Sequence, residues 1–265
     1  MSQEPTLDDV LIALRPYGVT DEGYLAHHFP RFRETKREFC STWDRARGLR
    51  VLDVGAHWLH QSWLWQADGY QVTAVDLPLT FELDSVRALA DATGMRLIPC
   101  RDLERADELD AIEPNSIDIM LFTEIIEHIT FNPVRFWQQI YRVLAPGGRI
   151  VITTPNYYAA RGRAWDWRRF RSGFAGGLSV DEVLSTPTYG HHWREYSKLE
   201  LIRYFCLLSP DFNTVKACYP STYGFDDRGF AGWAQRRFPW LRPNLHLEVE
   251  LSRKDVGITL APSWK

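Results

Sequence analysis

The chain has 265 residues, of which 45% are hydrophobic and 25% charged, so it is long enough for one large globular domain or a domain with an insertion. The formal net charge of −3 gives no overall attraction to nucleic acid or anionic lipid, and such a partner must be recognised by a local surface. The four cysteines form no CxxC pair, the N-terminus lacks signal-peptide features, and no apolar run approaches the roughly 20 residues that span a bilayer; we therefore expect a cytoplasmic location.

Strand-like and helical segments alternate along the chain after an N-terminal stretch, residues 1–47, that we predict to be a helical cap on the main domain, 48–265. Five strand-like segments follow in chain order: RVLDVG (50–55), YQVTAVD (70–76), MRLIP (95–99), SIDIMLF (116–122) and GRIVITTP (148–155). The helical pattern NPVRFWQQIYRVLAPGG, between the last two, ends in a proline and two glycines. This alternation predicts a parallel α/β sheet, in which ligands bind beyond the carboxyl ends of the strands.

Acidic residues follow the first two predicted strands. Asp53 precedes Gly55 in the first turn, and Asp76 ends the second strand roughly 20 residues beyond that glycine. A carboxylate so placed suits both hydroxyls of a ribose, so the cofactor should carry a nucleoside. The GxGxxG pattern of nicotinamide and flavin dinucleotide sites fails, since His57 and Leu59 stand where small residues would be sought. Taken singly, Asp53 as a helix cap and Asp76 as a loop residue are ordinary features.

Two carboxylates and an imidazole end the fourth predicted strand, in the stretch LFTEIIEHI (121–129). If a turn of helix follows the strand, Glu124 lies three residues before Glu127 and four before His128, so all three side chains share one side. Such crowding requires a group that the three side chains share. Water, a metal ion and a substrate hydroxyl are the candidates.

Together these segments resemble the class I S-adenosylmethionine-dependent methyltransferases across roughly residues 48–156. The order VLDVG, VDLP, PCRDL, LFTEIIEHI and RVLAPGGRIVITTPN is similar to the motif order of that family. The resemblance implies a Rossmann-like, doubly wound, mostly parallel seven-stranded sheet with helices on both faces and an antiparallel C-terminal strand, NLHLEVEL (244–251). It implies S-adenosylmethionine as the cofactor. The loop GAHWLH departs from the family, which usually carries more glycine there.

The resemblance also assigns cofactor contacts. In the family the first acidic turn holds the methionine portion, the second acidic residue holds the ribose, and an Asp after the third strand meets the adenine amine. By motif position the implied cofactor residues are Asp53, Gly55, Ala56, Asp76, Leu77, Asp102, Leu103 and Thr123. Glu124 follows the fourth strand, where the methyl group faces the acceptor, and with His128 and His192 it is a candidate catalytic residue.

ExxEH at this place is similar to two subfamilies, the ubiquinone-type O-methyltransferases and the small-RNA 2'-O-methyltransferases, which have a further histidine downstream. The stretch GHHWREYS offers His192, which matches that position better than His191. Glu124, Glu127, His128 and His192 are therefore candidate ligands of Mg²⁺ or Mn²⁺, which would lower the pKa of an acceptor hydroxyl. The alternative is a metal-free site with a histidine as general base. Both favour an oxygen acceptor, since neutral histidine takes a hydroxyl proton at physiological pH.

Acceptor recognition is predicted in segment 157–192, a lid insertion after the fifth strand in which arginines alternate with aromatic residues. The predicted substrate residues are Arg161, Trp165, Arg168, Arg169 and His191. Arginine suits phosphate or carboxylate and tryptophan stacks on rings, so we expect a small-molecule, saccharide or lipid-linked acceptor. A peripheral membrane contact, an RNA surface and a solvated helix packed by its tryptophans are the alternatives. RNA ranks last, because the chain is acidic overall and has no recognisable RNA-binding module.

A catalytically degenerate protein that keeps the sheet as a binding surface is the competing hypothesis. In that case the altered turn at His57 and Trp58 would block the ligand. A second aromatic and basic segment, GWAQRRFPWLRP (232–243), has no assigned purpose, and the sequence gives no oligomeric state.

Overall fold

One mixed sheet organises the molecule. The computed structural model describes residues 4–18, 21–160, 162–165, 171, 178, 180–187, 190–221, 223–224 and 228–263. The strands of this part of the chain are β1 Arg50–Val54, β2 Gln71–Asp76, β3 Arg96–Pro99, β4 Ile117–Thr123, β5 Leu144–Pro155, β6 Phe212–Cys218 and β7 Asn244–Leu251. They form a seven-stranded sheet in the order β3-β2-β1-β4-β5-β7-β6. Strands β1 to β5 pair in parallel, whereas β7 runs antiparallel to both β5 and β6. The predicted fold class is confirmed.

Helices cover both faces of this sheet. In the described residues they are α1 Leu7–Leu14, α2 Glu22–Cys40, α3 His60–Gln66, α4 Pro78–Phe81, α5 Asp84–Thr93, α6 Val134–Val143, α7 Val180–Ser185, α8 Lys198–Leu208 and α9 Gly229–Arg237. Capping boxes begin α1 and α8, where Thr6 pairs with Asp9 and Ser197 pairs with Glu200. None of these helices combines the length and the apolar character needed to cross a bilayer.

Two hydrophobic cores lie on opposite faces of the sheet because strand side chains alternate between the faces. In β4, which is buried along its whole length, Ile119 joins the core beneath α2 and α3 with Phe39. Its neighbour Met120 joins the core beneath α6 and α8 with Trp137. Burial on both sides explains why β4 is a continuous apolar run in the sequence.

Two elements differ from the sequence-based expectation: one helix ends earlier than predicted, and one strand was not predicted. Helix α6 ends at Val143 rather than at the proline and glycines, because Leu144 already pairs with Ile117 of β4. Strand β6, an edge strand whose residues are mostly half-buried, had not been identified as a segment. Its mixed pattern of burial gives little signal in a sequence.

The strand order fixes where a ligand can bind. Strand β1 lies between β2 and β4. The strand order therefore runs outward from β1 in one direction through β2 and β3 and in the other direction through β4 and β5. In open α/β sheets this reversal leaves a crevice beyond the carboxyl ends of the strands. The motif residues Asp53, Asp76 and Thr123 all lie at that edge.

Candidate active site

A cavity of about 600 Å³ opens at the carboxyl ends of the central strands. All the predicted cofactor residues line it: Asp53, Gly55, Ala56, Asp76, Leu77, Asp102, Leu103 and Thr123. Glu124 and His128 line it as well. The volume lies within the range of small-molecule sites, roughly 300–1,000 Å³.

In the turn after β1, two residues other than glycine adopt the left-handed backbone conformation that favours glycine. Gly55, His57 and Leu59 all have positive φ, of 77°, 49° and 63°. A Cβ atom on Gly55 would lie 2.1 Å from Cδ1 of Ile125, so a side chain at that position requires the end of the Ile125 side chain to move. His57 and Trp58 line the cavity, so the altered turn leaves it open.

Asp76 at the end of β2 is held by three donors. Its Oδ2 accepts from the His57 backbone N–H at 2.6 Å, and its Oδ1 accepts from the Leu77 N–H at 2.7 Å and the Thr80 hydroxyl at 3.0 Å. These contacts fix the orientation of the carboxylate and join the first and second turns. A carboxylate so oriented is suited to accept hydrogen bonds from neighbouring hydroxyls of a ligand.

Asp53 is buried at the end of β1, where the Ser62 hydroxyl donates to its Oδ2 at 2.6 Å. Burial raises the pKa of Asp53 to about 7, against the opposing effect of the Ser62 hydrogen bond. Thr123, also buried, is hydrogen-bonded to the Gln61 side chain at 3.1 Å. Asp102 lies exposed at the rim. The cavity wall thus has one buried acid, Asp53, and one exposed acid, Asp102.

Arg31 of α2 reaches this site, although sequence reasoning placed it in the helical cap. Its Nη1 lies 3.9 Å from Oε1 of Glu124, and both residues line the cavity. Within the described residues, Nε and Nη1 of Arg31 and Oε1 of Glu124 have no hydrogen-bond partner. The pair therefore has spare hydrogen-bonding capacity for a ligand. The one sequence signal was that Arg31 adjoins the apolar stripe of α2 that includes Phe29 and Phe32.

The ExxEH stretch does not continue as an α-helix, which corrects the expectation that its three polar side chains share one side. Glu124 adopts a left-handed conformation with φ of 55°, and a single 3-10 turn, Ile126–His128, follows. Ligand atoms of Glu127, His128 and His192 lie within 4.8 Å of one another. Glu124 is outside this cluster, because its backbone conformation directs it to Arg31. Three of the four predicted metal ligands are thus brought together.

His128 has a defined tautomer in this cluster. Its Nδ1 lies 2.9 Å from the carbonyl oxygen of His191, and since a carbonyl only accepts, Nδ1 carries the proton. Nε2 then carries no proton and can accept one or bind a metal ion; it lies 4.0 Å from Oε1 of Glu127. Burial, followed by the nearby His192, lowers the pKa of His128, so the neutral ring dominates at physiological pH.

Glu127 is fully buried beside His128. Its Oε2 accepts from the Thr154 hydroxyl at 2.9 Å, while Oε1 has no hydrogen-bond partner among the described residues. Burial, and then the charge of Glu124, raises the pKa of Glu127 well above its ordinary value. A buried carboxyl group of this kind is stable when it is protonated or when a cation lies beside its carboxylate.

The predicted substrate residues are only partly described. His191 is buried outside the cavity lining, and its carbonyl orients His128. Trp165 is half-exposed and donates to the Tyr158 carbonyl at 3.1 Å. Arg161, Arg168 and Arg169 lie outside the described residues. Arg163, which is described, donates to the carbonyl of His192, the last residue of the insertion and a member of the histidine cluster, at 2.8 Å.

Sequence comparison places the chain among methyltransferases. A family model for the methyltransferase domain matches residues 25–182. The ubiquinone biosynthesis O-methyltransferase of Xanthomonas euvesicatoria is 29% identical over 161 residues, 61% of this chain and 62% of that protein. Its counterpart from Caulobacter sp. is 27% identical over 164 residues, 62% of this chain and 59% of that protein. The chain thus spans about six tenths of the length of the curated relatives it matches.

Solved structures agree on the fold. An S-adenosylmethionine-dependent methyltransferase from Mesorhizobium loti superposes with a TM-score of 0.56 at 16% identity, over 84% of this chain and 97% of that one. Phosphoethanolamine N-methyltransferase 2 of Haemonchus contortus, solved with S-adenosylmethionine, gives 0.54 at 16% identity, over 94% and 60%. The family model, which matches more than half of the chain, and the sheet topology agree. The chain therefore belongs to the methyltransferase domain family and has the fold of the class I S-adenosylmethionine-dependent methyltransferases.

Proposed function

We propose that the protein transfers the methyl group of S-adenosylmethionine to a hydroxyl oxygen. The observation that carries this proposal is the unprotonated Nε2 of His128, fixed by the hydrogen bond from Nδ1 to the His191 carbonyl. A neutral imidazole at the cavity wall is able to accept the proton that a hydroxyl loses when it is methylated. The O-methyltransferase names of the two relatives agree with an oxygen acceptor.

The cofactor fits the polar groups along the cavity. Asp76, with its carboxylate fixed by three donors, would accept from the ribose hydroxyls, and Asp102 at the rim would meet the adenine amine. Asp53 would attract the ammonium of the methionine portion. Arg31, whose Nε and Nη1 have no hydrogen-bond partner in the described part of the chain, would bind the methionine carboxylate. Glu124 beside Arg31 would then border the methyl group.

A divalent ion also fits the histidine cluster. Glu127, His128 and His192 offer one carboxylate oxygen and two imidazole nitrogens, a donor set that suits Mn²⁺ better than Mg²⁺. The orphaned Oε1 of buried Glu127 supports this fit, because a cation would compensate its charge. When bound, such an ion would lower the pKa of the acceptor hydroxyl. Without it, His128 serves as the general base.

We infer that the acceptor is a small hydroxyl compound, a saccharide or a lipid-linked molecule, covered by segment 157–192 as a lid. The contact between Arg163 and the His192 carbonyl supports this placement, since it holds the first part of the segment against its last residue, which belongs to the histidine cluster. Trp165 offers a ring surface for such an acceptor. An RNA substrate and a non-catalytic binding protein are the alternatives. The open cavity at His57 and Trp58 argues against the second.

Labelled cofactor and a panel of phenolic, saccharide and lipid-linked hydroxyl acceptors test the proposal. We expect cofactor binding by calorimetry and methyl transfer to an oxygen. His128→Gln should lower kcat by on the order of 10²-fold or more, whereas His27→Gln, an exposed histidine on α2, should leave it unchanged.

A chelator arm separates the two versions of the site. Transfer that is lost in EDTA and restored by Mn²⁺ or Mg²⁺ supports the ion, while full activity in EDTA supports His128 as general base with O-methylation intact. Methylation confined to nitrogen or carbon acceptors, or a protein that does not bind the cofactor, would overturn the proposal.

A further inference from the structure

Six aromatic side chains form a continuous exposed surface, of which only Trp165 has a part in the proposed acceptor site. They are Tyr158, Trp165, Phe230, Trp233, Phe238 and Trp240, and each is between 37% and 79% exposed. Their rings form a chain of contacts from Phe230 to Trp233, Phe238, Trp240 and Trp165, with centroid separations of 5.4 to 6.4 Å. We call these six residues the aromatic surface. Contiguous exposed apolar patches of this kind mark interaction sites.

Arginine predominates around the aromatic surface. Segments 157–165 and 228–243, which carry all six rings, contain six arginines and no acidic residue, in a chain with a net charge of −3. Three aspartates flank the two segments, Asp166, Asp226 and Asp227, and they lie outside the described residues. Of the arginines, Arg163 is ion-paired with Glu195 at 3.2 Å. Arg236 and Arg237 are exposed in the last turn of α9, and the Arg237 guanidinium lies 5.1 Å from the Phe238 ring centroid. The surface is therefore complementary to an anionic partner.

Helix α9 separates its exposed and buried faces. Phe230, Trp233 and Arg237 are exposed and follow one another at three- and four-residue spacing, whereas Ala231 and Ala234 are buried. Small residues against the protein and large aromatic residues toward solvent reverse the usual pattern of a surface helix. Tryptophan and phenylalanine with arginine are the residues that interfacial helices place at the boundary between lipid headgroups and acyl chains.

The aromatic surface is attached to the edge of the sheet that carries the cavity. Asn156, directly after β5, donates its side-chain amide to the carbonyls of Trp240 and Arg242 at 2.8 and 2.7 Å. The Ala160 N–H donates to the Leu241 carbonyl at 2.8 Å, which joins the two segments to each other. A partner bound there would lie on the cavity side of the molecule.

We propose that the aromatic surface docks the protein on an anionic lipid bilayer, with its rings in the interface and its arginines at the headgroups. A bilayer fits both the ring surface and the excess of arginine, whereas an acidic protein would match only the charge. The inference goes beyond the methyl-transfer proposal and does not depend on it, because binding to vesicles is measured without an acceptor.

Vesicle sedimentation tests this docking. The wild-type protein should pellet with vesicles of phosphatidylcholine and phosphatidylglycerol, pellet less with phosphatidylcholine alone, and dissociate at about 1 M salt, where the Debye length is near 3 Å. Phe230→Ala with Trp233→Ala should reduce binding on the order of tenfold. The matched control is Leu199→Ala with Leu207→Ala, two exposed apolar residues on α8, which should bind as the wild type does.

Charge reversal provides a second arm. Arg237→Glu should weaken binding to anionic vesicles, and Arg203→Glu, on the exposed side of α8, should weaken it less. Unchanged melting temperature and cofactor affinity in the aromatic variant would show that its loss of binding is not unfolding. A wild type that ignores anionic vesicles, or an aromatic variant that binds them fully, would overturn the proposal. A dimer in sedimentation velocity that the same variant dissociates, without vesicle binding, would assign the surface to a second copy instead.

Discussion

Two buried carboxyl groups, Asp53 and Glu127, lie at the candidate active site with raised pKa values. In each case burial is the main cause, since it disfavours the ionised form. Each also lies where the proposed chemistry brings a positive charge, the cofactor ammonium for Asp53 and a metal ion for Glu127. Their protonation should therefore be linked to ligand binding rather than to the fold alone.

For Asp53 the sign of this linkage is defined. Its folded pKa of about 7 lies above the ordinary value of 3.8, so the free protein holds a proton there that the unfolded chain has lost. The stability that this proton supplies is present at low pH and declines as pH rises toward 7. A bound ammonium favours the ionised form, so cofactor binding at about pH 6.5 should release a proton and strengthen as pH rises through 7.

Calorimetry in two buffers of different ionisation enthalpy measures this proton release directly. The binding enthalpy of the wild type should differ between phosphate and Tris, and the difference should shrink in Asp53→Asn. Asp84→Asn, an almost fully exposed carboxylate, is the matched control and should behave as the wild type does. Equal enthalpies in both buffers for the wild type would show that Asp53 does not titrate with binding.

At the scale of elements, the turn after β1 is the part that depends most on backbone geometry. Gly55 combines a φ of 77° with a Cβ position that Ile125 already occupies. Gly94, with a φ of 72°, has open space around its Cβ position. A left-handed conformation disfavours alanine by roughly 1–2 kcal/mol at either site, so any additional loss at residue 55 reports the steric clash.

Gly55→Ala should therefore lower the free energy of unfolding by more than Gly94→Ala does. Because the clash is with the end of one side chain, Ile125→Ala should remove the excess in a double-mutant cycle. Denaturant unfolding of the four proteins gives the coupling energy. Equal losses for Gly55→Ala and Gly94→Ala would mean that the turn relaxes and that its shape is less constrained than the contact implies.

The elements that sequence predicts well are those whose burial is uniform. Strand β4, buried on both faces, and β7, found at its predicted bounds, have clear apolar patterns. The edge strand β6 has none, and so it was not identified. The prediction for the ExxEH stretch was wrong for a different reason. Sequence spacing shows which side chains lie together only when the type of helix is known. The left-handed Glu124 is stabilised by tertiary contacts such as its N–H to the Thr153 carbonyl at 2.8 Å, and these have no local signature.

Across the whole molecule, the N-terminal helices and the sheet form one packed body. Phe39 of α2 belongs to the core beneath the sheet, and Lys216 of β6 donates to the Glu38 carbonyl at 2.8 Å. The Arg149 side chain of β5 donates to the Thr42 hydroxyl at 3.1 Å. These long-range contacts place α2 at the mouth of the cavity. They also explain why sequence motifs predicted the cavity-lining residues of the sheet but not Arg31, whose position depends on packing between distant segments.

The position of Arg31 leads to a test of whether helix α2 and the sheet together bind the cofactor. In Arg31→Gln we expect cofactor affinity to fall by on the order of 10- to 100-fold, the effect of losing hydrogen bonds to a charged group. The free protein should melt at only a slightly lower temperature, because in the described structure the Arg31 guanidinium has a 3.9 Å ion pair with Glu124 and a 4.9 Å contact with the Phe32 ring, while its Nε and Nη1 have no hydrogen-bond partner.

Thermal unfolding with and without S-adenosylhomocysteine separates binding from stability. A ligand at about 100 times its Kd stabilises the folded state by roughly 2.7 kcal/mol, so the wild type should melt at a clearly higher temperature when the ligand is present. That rise should shrink in Arg31→Gln and persist in Arg33→Gln, an exposed arginine on the same helix. If both variants keep the full rise, α2 covers the cavity without contacting the cofactor. If Arg31→Gln instead unfolds at a much lower temperature without ligand, the arginine supports the fold, and its assignment to the methionine carboxylate is wrong.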